Sequence, residues 1–395
     1  MITALLVIIY IAFISLGLPD SILGSAWPSI YGDIGVEVSA QGILSMITAG
    51  GTIISSFLSG KVIRRFGTGV VTGVSVLLTA LALFGYSLSG SIYMLCICAM
   101  PLGLGAGSVD VALNNFVANH YEARHMSWLH CFWGVGATLG PIIISLYIDK
   151  NGGWQDGYRT IALLQLALVV VLFLSIPLWR KVERKEEVKG ENIQKGISFQ
   201  ELINIKGVKA VLIALFSYIA LEASTGFWGA SFLVLSRGIS EEKAAQWISL
   251  FYMGITLGRF VSGFLTIKLK SRELINLGLV IIALGVAALV LPLPASLLPI
   301  AFLFIGTGCA PIYPSILHAT PENFGKDVSQ SLMGVQMGFA YIGSTFMPPL
   351  CGLIIGRISP KLYPYYLLIF LISMFIMLTR LYKITANGSK TKAIL

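Results

Sequence analysis

The 395-residue chain is poor in charge: only 11% of its residues are charged, whereas a soluble domain carries about 25%. Because 56% of the residues are hydrophobic, that scarcity excludes an ordinary soluble protein and predicts a polytopic membrane protein in a lipid bilayer. The net charge of +9 comes from basic residues spread over short loops. That distribution is typical of topology signals, so we expect no nucleic-acid partner.

Cysteine and histidine are also scarce. The five cysteines lie in apolar segments without a CxxC pair, and the four histidines show no metal-ligand spacing. These patterns exclude a disulfide framework and predict no metal site. The sequence contains no nucleotide-binding motif and no nucleophile constellation. We therefore expect no enzyme, no catalytic residue and no cofactor, with a gradient of protons, of sodium or of the solute itself as the driving force.

Long apolar runs, in contrast, are abundant. A helix needs about 20 apolar residues to cross a bilayer. Twelve runs meet that length, over 2–24, 40–58, 68–88, 92–117, 127–148, 158–179, 207–235, 244–267, 273–291, 295–317, 328–355 and 361–382. The first run lacks a basic flank and a cleavage site, so we interpret it as a retained span rather than a signal peptide.

One long charged stretch divides the chain. It covers residues 180–206, between the sixth and seventh apolar runs. The sequence therefore predicts an all-α membrane protein of twelve transmembrane helices in two six-helix bundles related by pseudo-two-fold symmetry. The N-terminal bundle covers 1–179, the cytoplasmic linker 180–206, and the C-terminal bundle with a short tail 207–395.

The distribution of lysine and arginine between the loops predicts the orientation of the chain in the membrane. With the N-terminus inside, 20 of the 27 basic residues fall on the inner side, six on the outer side, and Arg259 within the membrane. Because inner loops carry the excess of positive charge, both termini are expected in the cytoplasm of a plasma-membrane protein. We expect this protein to be a monomer.

The two halves repeat each other. The Ser-Gly pair at 59–60 matches the pair at 262–263, and Gly105-x-Gly107 matches Gly306-x-Gly308. Nearly the same offset places Asp20 opposite Glu222. Parallel repeats related by an axis along the membrane normal are typical of transporters that bind their substrate at the repeat interface.

Three carboxylates lie inside these apolar runs: Asp20, Asp110 and Glu222. A charge at the bilayer centre costs at least about 2.5–3.5 kcal/mol, so such residues usually face a cavity and serve a function. Desolvation favours the protonated form of a carboxylate, which suits a proton carrier. We predict that all three couple protons to transport and contact the substrate, with interhelical hydrogen bonding as the alternative.

Polar and aromatic neighbours complete the predicted substrate site. Their amides, imidazole and indoles suit a polyhydroxylated ligand, but each also has a packing or membrane-anchoring alternative. Arg259 is predicted to snorkel or to pair with an acid at a helix end, in a gating or structural role, with substrate contact as the alternative. The predicted substrate-binding neighbours are Asn114, His130, Trp133, Trp228 and Gln336.

A short loop carries a family resemblance. The stretch 59–67, SGKVIRRFG, resembles the cytoplasmic loop motif of the major facilitator superfamily, although the usual acidic residue is missing. The resemblance implies a gating or structural role for Gly60, Arg64, Arg65 and Gly67.

Three other stretches resemble the fucose permease branch, which comprises sugar–proton symporters. They are PDSILGSAWP around Asp20, the Asp110-x-x-x-Asn114 pattern, and Phe132 with GATLGP at 136–141. The resemblance implies that Asp20 couples protons and that Asp110 stands in for a glutamate. Trp133 and His130 replace an asparagine and a glutamine of that branch.

These observations predict a secondary active transporter that imports a neutral hydrophilic solute, a monosaccharide above all, with protons by alternating access. Three alternatives are left open. They are an efflux carrier of the same fold, a sodium-coupled or uniport sugar carrier, and a non-transporting membrane sensor.

Overall fold

The computed structural model describes residues 2–121, 123–148, 153–183 and 199–392. Within these ranges the chain forms fourteen α-helices and no strand. The first half contains α1 (Ile2–Ile34), α2 (Gln41–Phe66), α3 (Thr68–Ser87), α4 (Ile92–His120), α5 (Ala123–Ile148) and α6 (Gly153–Glu183). The short α7 (Phe199–Asn204) follows. The second half contains α8 (Val208–Arg237), α9 (Glu241–Leu265), α10 (Ser271–Val290), α11 (Leu298–Cys309), α12 (Ile312–Phe324), α13 (Lys326–Arg357) and α14 (Tyr363–Lys392).

Twelve helical segments in the described ranges are long and apolar enough to cross a membrane, as the sequence predicts. The tenth of them, Ala295–Phe324, consists of two helices, α11 and α12. The helix is interrupted at Ala310 and Pro311. Because proline has no backbone N–H to donate, Pro311 fits the start of α12, where that donor would have no partner within the helix.

The predicted linker 180–206 overlaps the end of α6 and contains α7. Its residues 184–198 lie outside the described ranges. Helix α1 continues to Ile34, well past the predicted end of the first span, so it carries Asp20 in its middle rather than near its end.

Equivalent helices pack on each other in the two halves, as the predicted pseudo-two-fold symmetry requires. In the first half α1 packs on α5, α2 on α4, and α3 on α4 and α6. In the second half the equivalent contacts join α8 to α13, α9 to α11, and α10 to α11 and α14. Between the halves, α5 packs on α9, α13 on α2, and α1 on α8. The structure thus consists of two six-helix bundles with α1 and α8 at their common interface.

The helices alternate in direction, which gives the bundle two ends. We call the end that carries Gly67, residues 266–270 and Gly325 the linker side, because α6 ends there. The end that carries Gly35, Gly238 and residues 291–297 is the opposite side.

Candidate functional site

A large cavity lies between the two halves. It has a volume of about 1990 Å³ and is lined by α1, α2, α4 and α5 from one half and by α8, α9, α12 and α13 from the other. The cavity extends from Asp20, in the middle of α1, to the exposed residues Lys268 and Lys270 at the linker side. It therefore opens at the linker side of the molecule.

The two halves close on each other at the opposite side. Gly24 and Gly226 bring α1 and α8 so close that a Cβ on Gly24 would lie 2.5 Å from the carbonyl oxygen of Gly226. Nearer that end, the Ser29 hydroxyl of α1 donates a hydrogen bond of 2.5 Å to the Glu241 carboxylate of α9. The cavity is thus accessible from one end of the bundle and sealed at the other.

Asp20 lies beside a proline that alters the hydrogen bonding of α1. Pro19 has no N–H, so the carbonyl of Ser15 loses its helical donor. The side chain of Gln165, in α6, replaces that donor, with Nε2 at 2.8 Å from the Ser15 oxygen. Thr79, in α3, donates to Oε1 of Gln165 at 3.0 Å. Two helices, α3 and α6, therefore support the turn of α1 that presents Asp20 to the cavity.

The partner of Asp20 is Trp133. Its indole Nε1–H donates to Oδ2 of Asp20 at 2.8 Å. Helices α1 and α5 approach closely at this point, because a Cβ on Gly17 would overlap the carbonyl of Trp133, and one on Gly136 that of Ile14. Since the indole is an uncharged donor, it stabilises an ionised Asp20 without neutralising it.

Asp110, which belongs to α4, lines the same cavity as Asp20. It accepts a hydrogen bond of 2.8 Å from Nδ2 of Asn114, which also donates to the Asp110 carbonyl at 3.0 Å. The predicted i, i+4 pair therefore forms. Asn114 and Asn115 both line the cavity, with Thr52 of α2 nearby. Like Asp20, Asp110 has only an uncharged partner among the described residues.

Glu222 differs from the two aspartates because it has a cationic neighbour. Nη2 of Arg259 lies 3.9 Å from Oε1 of Glu222, and the two side chains are only 19% and 16% exposed. The guanidinium also lies over the Trp133 ring, 5.5 Å from its centroid. Arg259 lies six residues before the end of α9, and its side chain lines the cavity. The structure supports the predicted pairing with an acid, and contact with the substrate stays a prediction for this residue.

Two predicted substrate residues lie away from the cavity. Trp228 is buried, donates from Nε1 to the carbonyl of Pro348 at 2.6 Å, and packs against Gly352. Gln336 is buried and hydrogen-bonds the hydroxyl of Thr320 at 3.1 Å. Both side chains join helices of the second half, so the structure supports a packing role for them rather than substrate contact.

His130 does line the cavity and is exposed to it. Its ring meets Phe13 edge-on, with centroids 5.9 Å apart. On the other wall, Tyr313 and Tyr341 line the cavity although the sequence did not single them out. Tyr313 belongs to the first turn of α12, so the break at Pro311 is the signal that could have indicated it.

The residues of the loop motif lie outside the cavity. Gly67 connects α2 to α3 with a φ of +81°, a conformation that glycine adopts without strain. The Arg65 guanidinium lies over the Phe66 ring, 5.4 Å from its centroid. Gly60 and Arg64 precede this turn on α2. The motif therefore forms the end of α2 and the turn to α3 at the linker side of the first half.

The side chains that line the cavity can bind a solute through hydrogen bonds. In the described part of the chain, no group of three or more His, Cys, Asp or Glu side chains is placed to hold a metal ion. The cavity offers carboxylates, amides, two imidazoles, phenols and an indole. Such groups can donate hydrogen bonds to the hydroxyl groups of a solute and accept hydrogen bonds from them.

The sequence and the fold both match known transport proteins. The family model described as Major Facilitator Superfamily matches residues 9–348. The chain is 29% identical to the glucose/mannose transporter GlcP of Bacillus subtilis over 284 residues, 67% of each protein. The structure is similar to the nucleoside transporter NupG (TM-score 0.75, 14% identity, 95% of this chain and 98% of that one). It is also similar to a D-xylose-proton symporter (TM-score 0.74, 13% identity, 95% and 97%).

Proposed function

The chain belongs to the major facilitator superfamily of membrane transporters, and from that membership we propose that it imports a monosaccharide together with protons by alternating access. The observation that carries the proposal is the pair of aspartates on one cavity. Asp20 and Asp110 have hydrogen-bond partners that are uncharged, Trp133 and Asn114. Closing the cavity over two uncompensated carboxylates is costly, and protonation removes that cost.

The roles of the three acids differ in this proposal. Asp20 carries the proton, because it lies one helical turn from the Gly24 contact that closes the opposite side and has only the uncharged Trp133 as its hydrogen-bond partner among the described residues. Asp110 couples the proton to the solute, because its partner Asn114 can also bind a hydroxyl. Glu222 has Arg259 as a counter-ion, so it contributes less to proton coupling than the two aspartates do.

A sugar fits the cavity chemistry. Carboxylates and amides bind hydroxyl groups, and the apolar face of a pyranose packs on an aromatic ring such as that of Trp133. The relative GlcP, by its name, transports glucose and mannose. A fucose permease-like specificity stays a prediction, since Trp133 and His130 stand where that branch has an asparagine and a glutamine.

The linker side faces the cytoplasm in this proposal. The predicted inner loops with their excess of lysine and arginine lie on that side, which supports a cytoplasmic location of both termini. The structure then represents the carrier open to the cytoplasm and closed to the outside.

Uptake into proteoliposomes tests the function. The wild-type carrier is assayed with glucose, mannose, galactose, xylose, fucose and a nucleoside, with an inward proton gradient in sodium-free buffer. We expect accumulation of at least one sugar. Asp20→Asn is expected to abolish proton-driven accumulation and to retain exchange of labelled for unlabelled sugar, because its side chain stays uncharged throughout the cycle.

The outcomes separate the alternatives. Accumulation that requires sodium would identify a sodium-coupled carrier, and equilibration without accumulation a uniporter. Transport of organic cations against the gradient would identify an efflux carrier. Normal proton-driven accumulation in the Asp20→Asn variant would refute the assignment of the proton to Asp20.

A further inference from the structure

Arg259 occupies the aromatic face on which a sugar would stack. Trp133 is the one tryptophan that lines the cavity in the described part of the chain. It packs against the hydrophobic cores around α1 and α5, and the Arg259 guanidinium lies over its ring. We propose that Arg259 covers the indole of Trp133 in the solute-free carrier and that solute binding displaces it toward Glu222. This inference rests on the proposed sugar transport.

The contact joins the two halves of the molecule. Trp133 belongs to α5 and Arg259 to α9, and these helices pack closely between the halves. The approach depends on Gly134, because a Cβ there would overlap the hydroxyl of Thr256, one turn before Arg259 on α9. The guanidinium therefore reaches the indole from the facing half, as a ligand bound between the halves would.

The guanidinium is weakly held. It makes no hydrogen bond to the described residues, and its 3.9 Å separation from Glu222 is close to the limit for an ion pair. An arginine has five N–H donors, so Arg259 has donors to spare in this position. A small rotation of the side chain can bring it into full contact with the Glu222 carboxylate and uncover the ring.

The displacement makes Arg259 a specificity-determining residue. The interaction of a cation with an aromatic ring contributes about 0.5–2 kcal/mol. A solute that displaces Arg259 therefore needs an apolar face that stacks on the indole and compensates for the lost interaction. A sugar with a continuous apolar face satisfies this requirement. A hydrophilic solute without such a face leaves Arg259 on the indole and does not bind well.

Binding to the purified full-length carrier tests the inference. The probe is the sugar that the uptake assay identifies, measured by calorimetry with wild type and Arg259→Gln. Removing the competing cation is expected to tighten binding by roughly 2-fold to 30-fold. Unchanged or weaker binding would overturn the proposal, since it would mean that Arg259 does not compete or contacts the solute directly.

A matched control is available on the same half. Arg272 lies over the ring of Tyr382, 4.3 Å from its centroid, outside the cavity. Arg272→Gln removes the same charge and the same type of contact, and is expected to leave sugar affinity unchanged. A gain in affinity in this variant would mean that the effect of Arg259→Gln is one of net charge.

Indole fluorescence provides a test that needs no sugar. The contribution of Trp133 is the emission of the wild type minus that of Trp133→Phe. The same difference measured in the Arg259→Gln background is expected to show a shifted maximum, because the cation no longer lies over the ring. Identical difference spectra would refute the contact. If no sugar binds, the proposed function fails while this measurement still decides the contact.

Discussion

At the scale of single residues, the hydrogen bond from Gln165 to the Ser15 carbonyl replaces the one that Pro19 cannot make. Gln165 is buried, and replacing it with leucine leaves that carbonyl without a donor. We expect Gln165→Leu to destabilise the protein by about 1–3 kcal/mol, the cost of a buried unsatisfied polar group. Thermal unfolding of the purified carrier measures the effect.

A double-mutant cycle isolates this contact. Pro19→Ala restores an N–H to α1, so Gln165→Leu is expected to cost less in that background. An equal cost in both backgrounds would contradict the role of Gln165. The exposed Gln246, whose side chain donates to Glu242 on its own helix, provides the control: Gln246→Leu should change stability by less than about 0.5 kcal/mol.

The sequence indicated the charged residues of the site better than the uncharged ones. Asp20, Asp110 and Glu222 all line one cavity because a buried charge in a bilayer has to face water or a partner. Trp228 and Gln336 are uncharged, so the bilayer does not require their side chains to face water or a charged partner. The periodicity of a helix also does not show which neighbouring helix a given side chain contacts. Their partners, Pro348 and Thr320, lie on helices whose packing the sequence does not specify.

At the scale of helices, the contact between Gly24 and Gly226 closes the opposite side. The two glycines are related by the same repeat as Asp20 and Glu222, so both pairs lie on one interface between α1 and α8. A valine at position 24 cannot fit against the Gly226 carbonyl. We expect Gly24→Val to favour the conformation that is open at the opposite side and to slow transport.

Cysteine labelling measures that shift. Ser29→Cys, in a background without the native cysteines, should react several-fold faster with an impermeant maleimide when Gly24→Val is present. Gly32 provides the control on the same helix, because no atom lies within 4 Å of a Cβ placed there. Equal labelling rates for Gly24→Val and Gly32→Val would refute a specific role of the contact.

The sequence predicted the number of spans but not the division of the tenth. Apolar length and composition specify a membrane helix, and all twelve segments were found in that way. Pro311 lies inside an apolar run, and a proline in such a run can bend a helix or end it. The neighbouring helices decide between these outcomes, and they cannot be inferred from the run itself.

At the scale of the whole molecule, the excess of lysine and arginine predicts which end faces the cytoplasm. An epitope at the C-terminus should be inaccessible to antibody in intact cells, whereas the same epitope inserted after Pro294 should be accessible. Permeabilised cells, in which both epitopes must be labelled, provide the control. The reverse pattern in intact cells would invert the proposed orientation and would make the structure the outward-open carrier.

The open cavity also has a consequence for water. At about 30 Å³ per molecule, a volume of about 1990 Å³ corresponds to roughly 65 waters. Closing the linker side must expel much of this water into the adjoining solution. An osmolyte too large to enter the cavity, placed on that side, therefore favours the closed carrier. The hydration of the cavity thus links the conformational equilibrium of this protein to osmotic pressure.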